Sequence, residues 1–499
     1  MFLISVLTCT AQNAPPEWHN ALNLTNKFND VLLADSLGNS YFLTSNKDGD
    51  LFIEKQGSGD SKSAFSTKII SATKGEPNYR RVLVLDDGFA VISSVHDKTA
   101  ATFTFFENTV GLNGELKSPT AKEILEFPYN KKEGEGTSQF LISPDKKRIA
   151  ISYRAPQSSD FTFYLFDGAF NSLGTEKGSI NKNSKHGLVA ASDFAITNAG
   201  DIVYTAEKIT IHRKDWEGVE NWLFILSSKS DNVDSVALKC PDGMSFMSMD
   251  ILVTQKDVVV VAFYSEKFAP RGIYFGKYSL ESATLTTSTT ELTKEMYVTP
   301  GALDVSKGKV GLYRGAITII PTSTGYYIVN DPIAGQASSS PNGMSSVMYT
   351  LYTMNVISIT GEGKIDWINS IFRYQRCTAS SGLLGAFGVS TSVMLREDDF
   401  SLFGNSYTMI GDELVILMND ARGNTPQSGS SKEIVGATKP KDITANIIRV
   451  SNNGSFTKTI TTAKSGAETR WHVGYSYMGE GFIYTIGEDG ENVHGVVVN

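Results

Sequence analysis

Short runs in which apolar and polar residues alternate recur along the whole chain, each broken by a tight polar turn and answered by a second such run. That is the pattern of β-hairpins, because successive side chains of a strand point to opposite faces. The turns are legible in "LLADSLGNSYFLT", "VLVLDDGFAVISS", "FLISPDKKRIAISY", "FAITNAGDIVYTA" and "ILVTQKDVVVVAFY". Their centres at Gly38, Gly88, Asp145, Gly200 and Lys256 are 50, 57, 55 and 56 residues apart, so one unit of nearly constant length is repeating. Further hairpins follow near Gly325, between 398 and 412, and near Gly481. A third run follows most hairpins, as in "ATFTFFE" at 101–107 and "FTFYLFD" at 161–167, and a weaker fourth run follows that. No stretch carries sustained helical periodicity with caps.

Four antiparallel strands per unit, repeated without helices, predict an all-β fold: a β-propeller of seven or eight four-stranded blades. The final unit, "RWHVGYSYMGEGFIYTIGEDGENVHGVVVN", holds only three strands, and an unpaired edge there is a liability. The segment at 20–28, "NALNLTNKF", is expected to supply the fourth strand, so that the N- and C-terminal strands close the ring.

Two runs end alike: "GYYIVNDPIAG" at 325–335 and "LVILMNDARGN" at 414–424. Asn330-Asp331 and Asn419-Asp420 are 89 residues apart, and the strands that follow keep nearly that offset. Asn and Asp at a strand exit bond back to local backbone, so two consecutive blades sharing one plan explain the pairs without a ligand. The segments beyond them, 332–346 and 421–441, are rich in Gly, Ser and Pro and longer than a blade connection needs. As insertions in neighbouring repeats they emerge on one face, which makes Asn330, Asp331, Asn419 and Asp420 candidate binding residues.

Aromatic residues form 10% of the chain and fall mostly at alternating strand positions, such as Phe103, Phe105, Phe161 and Phe163, where packing between blades accounts for them. Trp216 and Trp222 in "HRKDWEGVENW" stand apart, reading as a loop that interrupts a blade. Exposed tryptophans there are candidate partner contacts.

Hydrophobic residues at 41% and charged residues at 20% exclude a largely disordered chain. A net charge of −8, with no basic block, argues against nucleic acid and against docking on an anionic membrane. No run approaches the roughly 18 apolar residues of a membrane span. Phe2 to Val6 form a short apolar run before Cys9, Ala11 and Gln12, without a basic segment ahead of it, so residues 1–12 read as the remnant of a signal or lipoprotein leader and 13–499 as one propeller domain. Cys9 is a candidate lipid-attachment site, although cleavage after Ala11 or Gln12 is the simpler reading. Cys240 and Cys377 have no metal spacing and are expected as buried thiols, a single bridge between them being the alternative.

The chain has six histidines and none in a two-His metal spacing; no nucleophile elbow or phosphate loop is present in context. No catalytic residue and no metal ligand is therefore named. Residues available to a central channel are Arg80, Arg81, Asp86, Asp87, Arg154, Arg271, Arg373, Arg376, Glu397, Asp398, Asp399 and Arg470, but two carboxylates at glycosidase spacing cannot be placed from sequence. Calcium is the one cofactor with a candidate sequence, "NKDGDLFIE" at 46–54, where Asn46, Asp48 and Asp50 surround Gly49. An Asp-Gly type I′ hairpin turn explains the same residues.

"ISPDKKRIAIS", with Ser143, Pro144 and Asp145 ahead of a β-run, resembles the blade hairpin of TolB-like and WD40-like propellers. "EFPYNKK" at 126–132, "FTFYLFDGAFNSLG" at 161–174 and "VISITGEGKIDW" at 356–367 resemble a group of uncharacterised secreted propeller proteins of the Bacteroidota. That resemblance implies a propeller in the cell envelope or outside the cell and supplies no catalytic residues. The function expected is a non-enzymatic binding or scaffold module holding a protein or glycan partner; the alternative is a carbohydrate-active hydrolase or lyase with a central-channel site.

Overall fold

The computed structural model describes residues 16–499 except 23, 58–62, 70–77, 98, 130–133, 157, 159, 180–186, 213–214, 229–232, 267–268, 297–314, 340–344, 381–404, 422–423, 425–442, 462–468 and 490–491. Eight antiparallel sheets of four strand positions follow one another around a ring, which makes the fold a β-propeller of eight blades. Blade 1 holds β2 (Lys27–Ala34), β3 (Ser40–Ser45), β4 (Leu51–Gln56) and β5 (Ser63–Lys68). Blade 2 holds β6 (Asn78–Leu85), β7 (Gly88–Asp97), β8 (Thr102–Gly111) and β9 (Lys122–Pro128); blade 3 holds β10 (Thr137–Ile142), β11 (Arg148–Arg154), β12 (Asp160–Asp167) and β13 (Ser172–Ser179). Blade 4 holds β14 (Gly187–Ile196), β15 (Ile202–His212), β16 (Asp215–Leu226) and β17 (Val233–Leu238); blade 5 holds β18 (Ser245–Val253), β19 (Asp257–Glu266), β20 (Ala269–Ser279) and β21 (Thr284–Glu291). Blade 6 holds β22 (Gly315–Pro321), β23 (Gly325–Ser339), β24 (Ser345–Thr360) and β25 (Ile365–Ser380); blade 7 holds β26 (Asn405–Ile410), β27 (Glu413–Ala421), β28 (Ile443–Val450) and β29 (Phe456–Ile460).

Blade 8 is built from both ends of the chain. Its inner position is shared by β30 (Thr469–Trp471) and β31 (Tyr477–Gly479), split by a 3-10 turn at Val473–Tyr475, and both pair with β32 (Phe482–Asp489). Next come β33 (Asn492–Val498) and then β1 (Glu17–Ala21), with Glu17 opposite Val497. The strand that completes the last blade is thus Glu17–Ala21 and not 20–28, because Lys27–Ala34 is already spent on blade 1. Trp18 fixes it there, buried and stacked on Trp471 with ring centroids 5.8 Å apart.

Strand alternation explains why the sheets stack. Along β7, Phe89 and Val91 pack toward blade 1 while Ala90 and Ile92 pack toward blade 3. Along β19, Val258 and Val260 face blade 4 while Val259 and Val261 face blade 6. Each blade is apolar on both faces, and among the described residues eight apolar clusters occupy the eight gaps between neighbouring blades. Burying a Val, Ile or Phe side chain contributes about 1.5–3 kcal/mol, so the gap between blades, not the isolated sheet, is the unit of stability. Phe103 and Phe105 sit in the gap between blades 2 and 3, and Phe161 and Phe163 in the gap between blades 3 and 4, as their alternation predicts.

Every blade runs its four strands in the same order, so turns between first and second strands and between third and fourth share one face, here the upper. Hairpins between second and third strands, and the links between blades, share the lower face. The turns themselves repeat one geometry. Gly49 N–H closes on Asn46 O at 3.1 Å with Gly49 at φ 84°, while Asn46 Oδ1 accepts from the N–H groups of Asp48 and Asp50. Asp48 does not take a positive φ, so this is a type I turn followed by a left-handed glycine rather than a type I′ turn. The same closure recurs at Asp35–Gly38, Ser143–Lys146, Asp167–Phe170, Thr197–Gly200 and Ser451–Gly454.

Two expectations about loops are overturned. Residues 332–339 and 345–346 belong to β23 and β24, which pair from Ile333↔Leu351 to Ser339↔Ser345, so most of that insertion is sheet. Its Gly and Ser residues sit in a ladder whose backbone bonds satisfy every second residue regardless of side chain. Trp216 and Trp222 lie within β16, opposite Ile211 and Ala206, because the ladder of β15 and β16 runs on past both tryptophans to the His212↔Asp215 pair. Residues 425–441 of the second insertion lie outside the described residues, as do Cys9 and the leader.

Candidate functional site

The lower face carries the features a ligand would meet. In blade 6, β23, β24 and β25 run 15, 16 and 16 residues, against six to ten in most other blades. Beyond Asn330 the sheet continues for about 30 Å at ~3.3 Å per residue. In blade 4, β15 and β16 likewise extend past Asn221 to the His212↔Asp215 pair, about 20 Å, with β14 alongside as far as Thr210. Two sheets therefore stand out from the same face, two blades apart.

At the foot of the blade 6 sheet, the buried Arg373 guanidinium pairs with Asp331, and Asn405 of the next blade donates Nδ2–H to Asp331 at 3.2 Å. The equivalent position of blade 7 is built alike. Asp420 is buried and accepts from Lys458 Nζ at 2.5 Å, from Asn424 Nδ2 at 2.7 Å and from its own neighbour Ala421 N at 2.7 Å. Asn419 reaches across the gap to blade 8, exchanging two hydrogen bonds with the backbone of Trp471. The two Asn-Asp pairs are thus one structural device used twice, each Asp neutralised by a cation from the fourth strand of its own blade. They do not converge on one site. Trp222, half-buried, donates Nε1–H to Glu220 at 3.4 Å and lies two blades away.

Between blades 8 and 1, where the ring closes, the lower face has a cavity of about 400 Å³ lined by Leu22, Leu24, Phe28, Tyr475, Ile486 and Val493, with His472, Glu488 and Asn26 as its polar groups. Glu488 accepts from His472 Nε2 at 2.8 Å and pairs with Arg470. Burial raises the Glu488 carboxyl, but the His472 hydrogen bond and the Arg470 charge outweigh it and hold the group below its ordinary range.

Around the channel, sequence reasoning missed Asp250. It sits on the first strand of blade 5, half-buried, and burial pushes its carboxyl up to about 7; the charge of Asp193 adds to the rise, while the N–H groups of Ile251 and Ile319 oppose it. Tyr407 on the first strand of blade 7 donates to Thr318 Oγ1 at 2.6 Å, and its phenol is raised by burial and by the charges of Asp331 and Asp250. "SFMSMDILV" gave one signal for Asp250, an acid in an otherwise apolar alternating run. Arginines named as channel candidates are spent elsewhere: Arg80 on Glu135, Arg271 on Glu266, Arg373 on Asp331 and Arg470 on Glu488, in four different blades. Arg376, Glu397, Asp398 and Asp399 have no described side chains. Cys240 is a free thiol, half-buried rather than buried, and burial raises it to about 11.

No protein-family model matches the chain, and no curated protein matches it. Among solved structures it is similar to the WD40 domain of SCAP from fission yeast, at 8% identity over 96% of this chain and 94% of that one, with a TM-score of 0.39. It is also similar to an uncharacterised protein from Listeria monocytogenes, at 11% identity over 84% and 90% with a TM-score of 0.36. A third is the β-propeller domain of the Trilobed protease from Pyrococcus furiosus, at 9% identity over 86% and 98% with a TM-score of 0.34. At such scores the propeller stands on its own strand order and core. No helix among the described residues is long and apolar enough to cross a membrane.

Proposed function

We propose that this chain is a non-enzymatic binding module of the cell envelope or extracellular space, which holds a protein or glycan partner on its lower face. The observation that carries this reading is the pair of sheets extended from blades 4 and 6 on one face of the ring. Two such extensions offer area for a partner and edge strands able to extend a ladder onto a peptide. The N-terminal apolar run at Phe2–Val6 supports the location. The buried charges at the foot of the blade 6 sheet support binding over catalysis, since Arg373 is fully buried and already paired. A hydrolase reading rests on Asp250 alone.

Two shortened variants test it, one with the blade 6 sheet cut back to Asn330 and Asn355 and one with the blade 4 hairpin cut back to Ala206 and Trp222. Partner capture from the native envelope, protein and glycan fractions being analysed separately, is expected to fail in both while the thermal midpoint of the propeller stays within a few degrees. Capture that survives both truncations, or glycan turnover by the purified chain that D250N abolishes, sinks the proposal.

A further inference from the structure

On the opposite, upper face a second cavity of about 440 Å³ opens between blades 2 and 3. Its walls are the turns at Leu85–Asp87 and Lys146–Lys147, the end of β8, the link through Lys117 and Lys122, and the turn at Gly168–Ala169. Its volume lies in the range of small-molecule sites.

Four ammonium groups border this cavity in a chain of net charge −8. Lys117 pairs with Asp87 at 2.5 Å, and Lys122 donates to the carbonyls of Ala169 and Phe170 at 3.1 and 2.9 Å, so these two are held by the protein. Lys146 and Lys147 donate only through their backbone N–H groups, to Ser143 O and Asp145 Oδ1, and among the described residues their ammonium groups make no hydrogen bond or ion pair. Lys146 is also the residue at φ 57° in its turn, where Gly38, Gly49, Gly200 and Gly454 fill the equivalent positions of other turns. A lysine is disfavoured in that conformation relative to glycine, and unlike Phe170, the other such exception in blade 3, it is not repaid by packing in the core.

Glu107 faces the same cavity with only 5% of its surface exposed. Thr109 donates to its Oε1, and its Oε2 has no hydrogen-bond partner among the described residues. Burial raises this carboxyl despite the nearby charges of Lys122 and Lys117. The side chain is buried while this oxygen is not sealed off, so it is the part of Glu107 that a donor entering the cavity would meet. Asp86, at the exposed rim, is the remaining charge.

We propose that this cavity binds a small zwitterion of the α-amino acid or short-peptide class, its ammonium donating to Glu107 and its carboxylate held by Lys146 and Lys147. The mixed lining selects for both charges on one molecule: a simple anion leaves Glu107 unsatisfied, and a simple cation meets the lysines. This site is independent of the lower face.

Isothermal titration of the full chain with L-alanine, L-glutamate and L-alanyl-L-alanine tests it, each against its N-acetyl form, which lacks the ammonium, and its amide, which lacks the carboxylate. Saturable binding of at least one zwitterion is expected, weakened about tenfold or more by either blocking group and about tenfold by E107Q. K146G is expected to weaken binding several-fold while raising the denaturation midpoint, since glycine suits the left-handed turn, so the loss cannot be misfolding. No saturable binding of any of the three, equal binding of the blocked forms, or affinity unmoved by both E107Q and K146G overturns the proposal.

Discussion

The side chain of Asn419 and the backbone of Trp471 exchange two hydrogen bonds, Nδ2–H to the carbonyl at 2.6 Å and the backbone N–H to Oδ1 at 2.8 Å, so a side-chain amide imitates one rung of a β-ladder across the gap between blades 7 and 8. Both partners are buried. Replacing Asn419 by Ala orphans two buried backbone groups and is expected to destabilise by about 2–4 kcal/mol. N419D keeps the shape but loses the donor and sets a charge against a carbonyl, so it should be worse than N419A. Urea unfolding followed by tryptophan fluorescence decides the order; a midpoint unmoved in both variants would disprove the rung.

Asp420 and Lys458 form a buried ion pair in blade 7. Removing one partner strands the other charge away from water, so K458M should cost about 3–5 kcal/mol. The double variant D420N/K458M keeps an oxygen for Ala421 and Asn424 and carries no charge, and is expected to recover most of that loss. A double variant as unstable as the single one would show that packing, not charge, holds this corner.

Asp250 gives the molecule a pH dependence of definite sign. Its carboxyl is raised to about 7, above the unfolded value of a little under 4, so between those values the folded state keeps a proton that the unfolded chain has lost. Its contribution is then complete below pH 4, falls through the interval and is constant above pH 7. D250N should leave stability at pH 4 nearly unchanged and raise it by about 1–3 kcal/mol at pH 8. Denaturation at the two pH values checks this, and equal differences at both would refute the shift.

Closure depends on five residues. Without residues 1–26, β33 becomes a bare edge and Trp471 loses its stacking partner. Such a chain should melt markedly lower and self-associate through the exposed edge, visible as dimers or larger species in size exclusion with light scattering. W18A, which keeps the strand but empties its anchor, should destabilise by about 3–5 kcal/mol without association. A truncated chain that remains monomeric with an unchanged melting point would show that β1 contributes nothing to the ring.

The repeat was legible because each first hairpin has a polar turn between alternating runs, and the turns near Gly38, Gly88, Asp145, Gly200, Lys256, Gly325 and Gly481 all lie where the pattern put them. The blade count stayed open between seven and eight because the sequence between 398 and 412 does not say where its hairpin turns, and pairing of β26 with β27 places the turn between Ile410 and Glu413. Blade 6 hid its length behind "AGQASS" at 334–339, whose composition imitates a loop although the ladder does not consult side chains. The upper cavity was illegible for another reason. Lys117, Lys122, Lys146 and Lys147 belong to turns of two different blades, and nothing local in the sequence says that those turns face each other.

His494 reaches the carbonyl of His19 across 475 positions of chain. During synthesis the first strand emerges long before its partner exists, so the last blade cannot form until the chain through β33 has left the ribosome. Seven blades must wait, stacked but unlocked, for that one strand, and any cut that removes it leaves an arc with two sticky ends instead of a wheel.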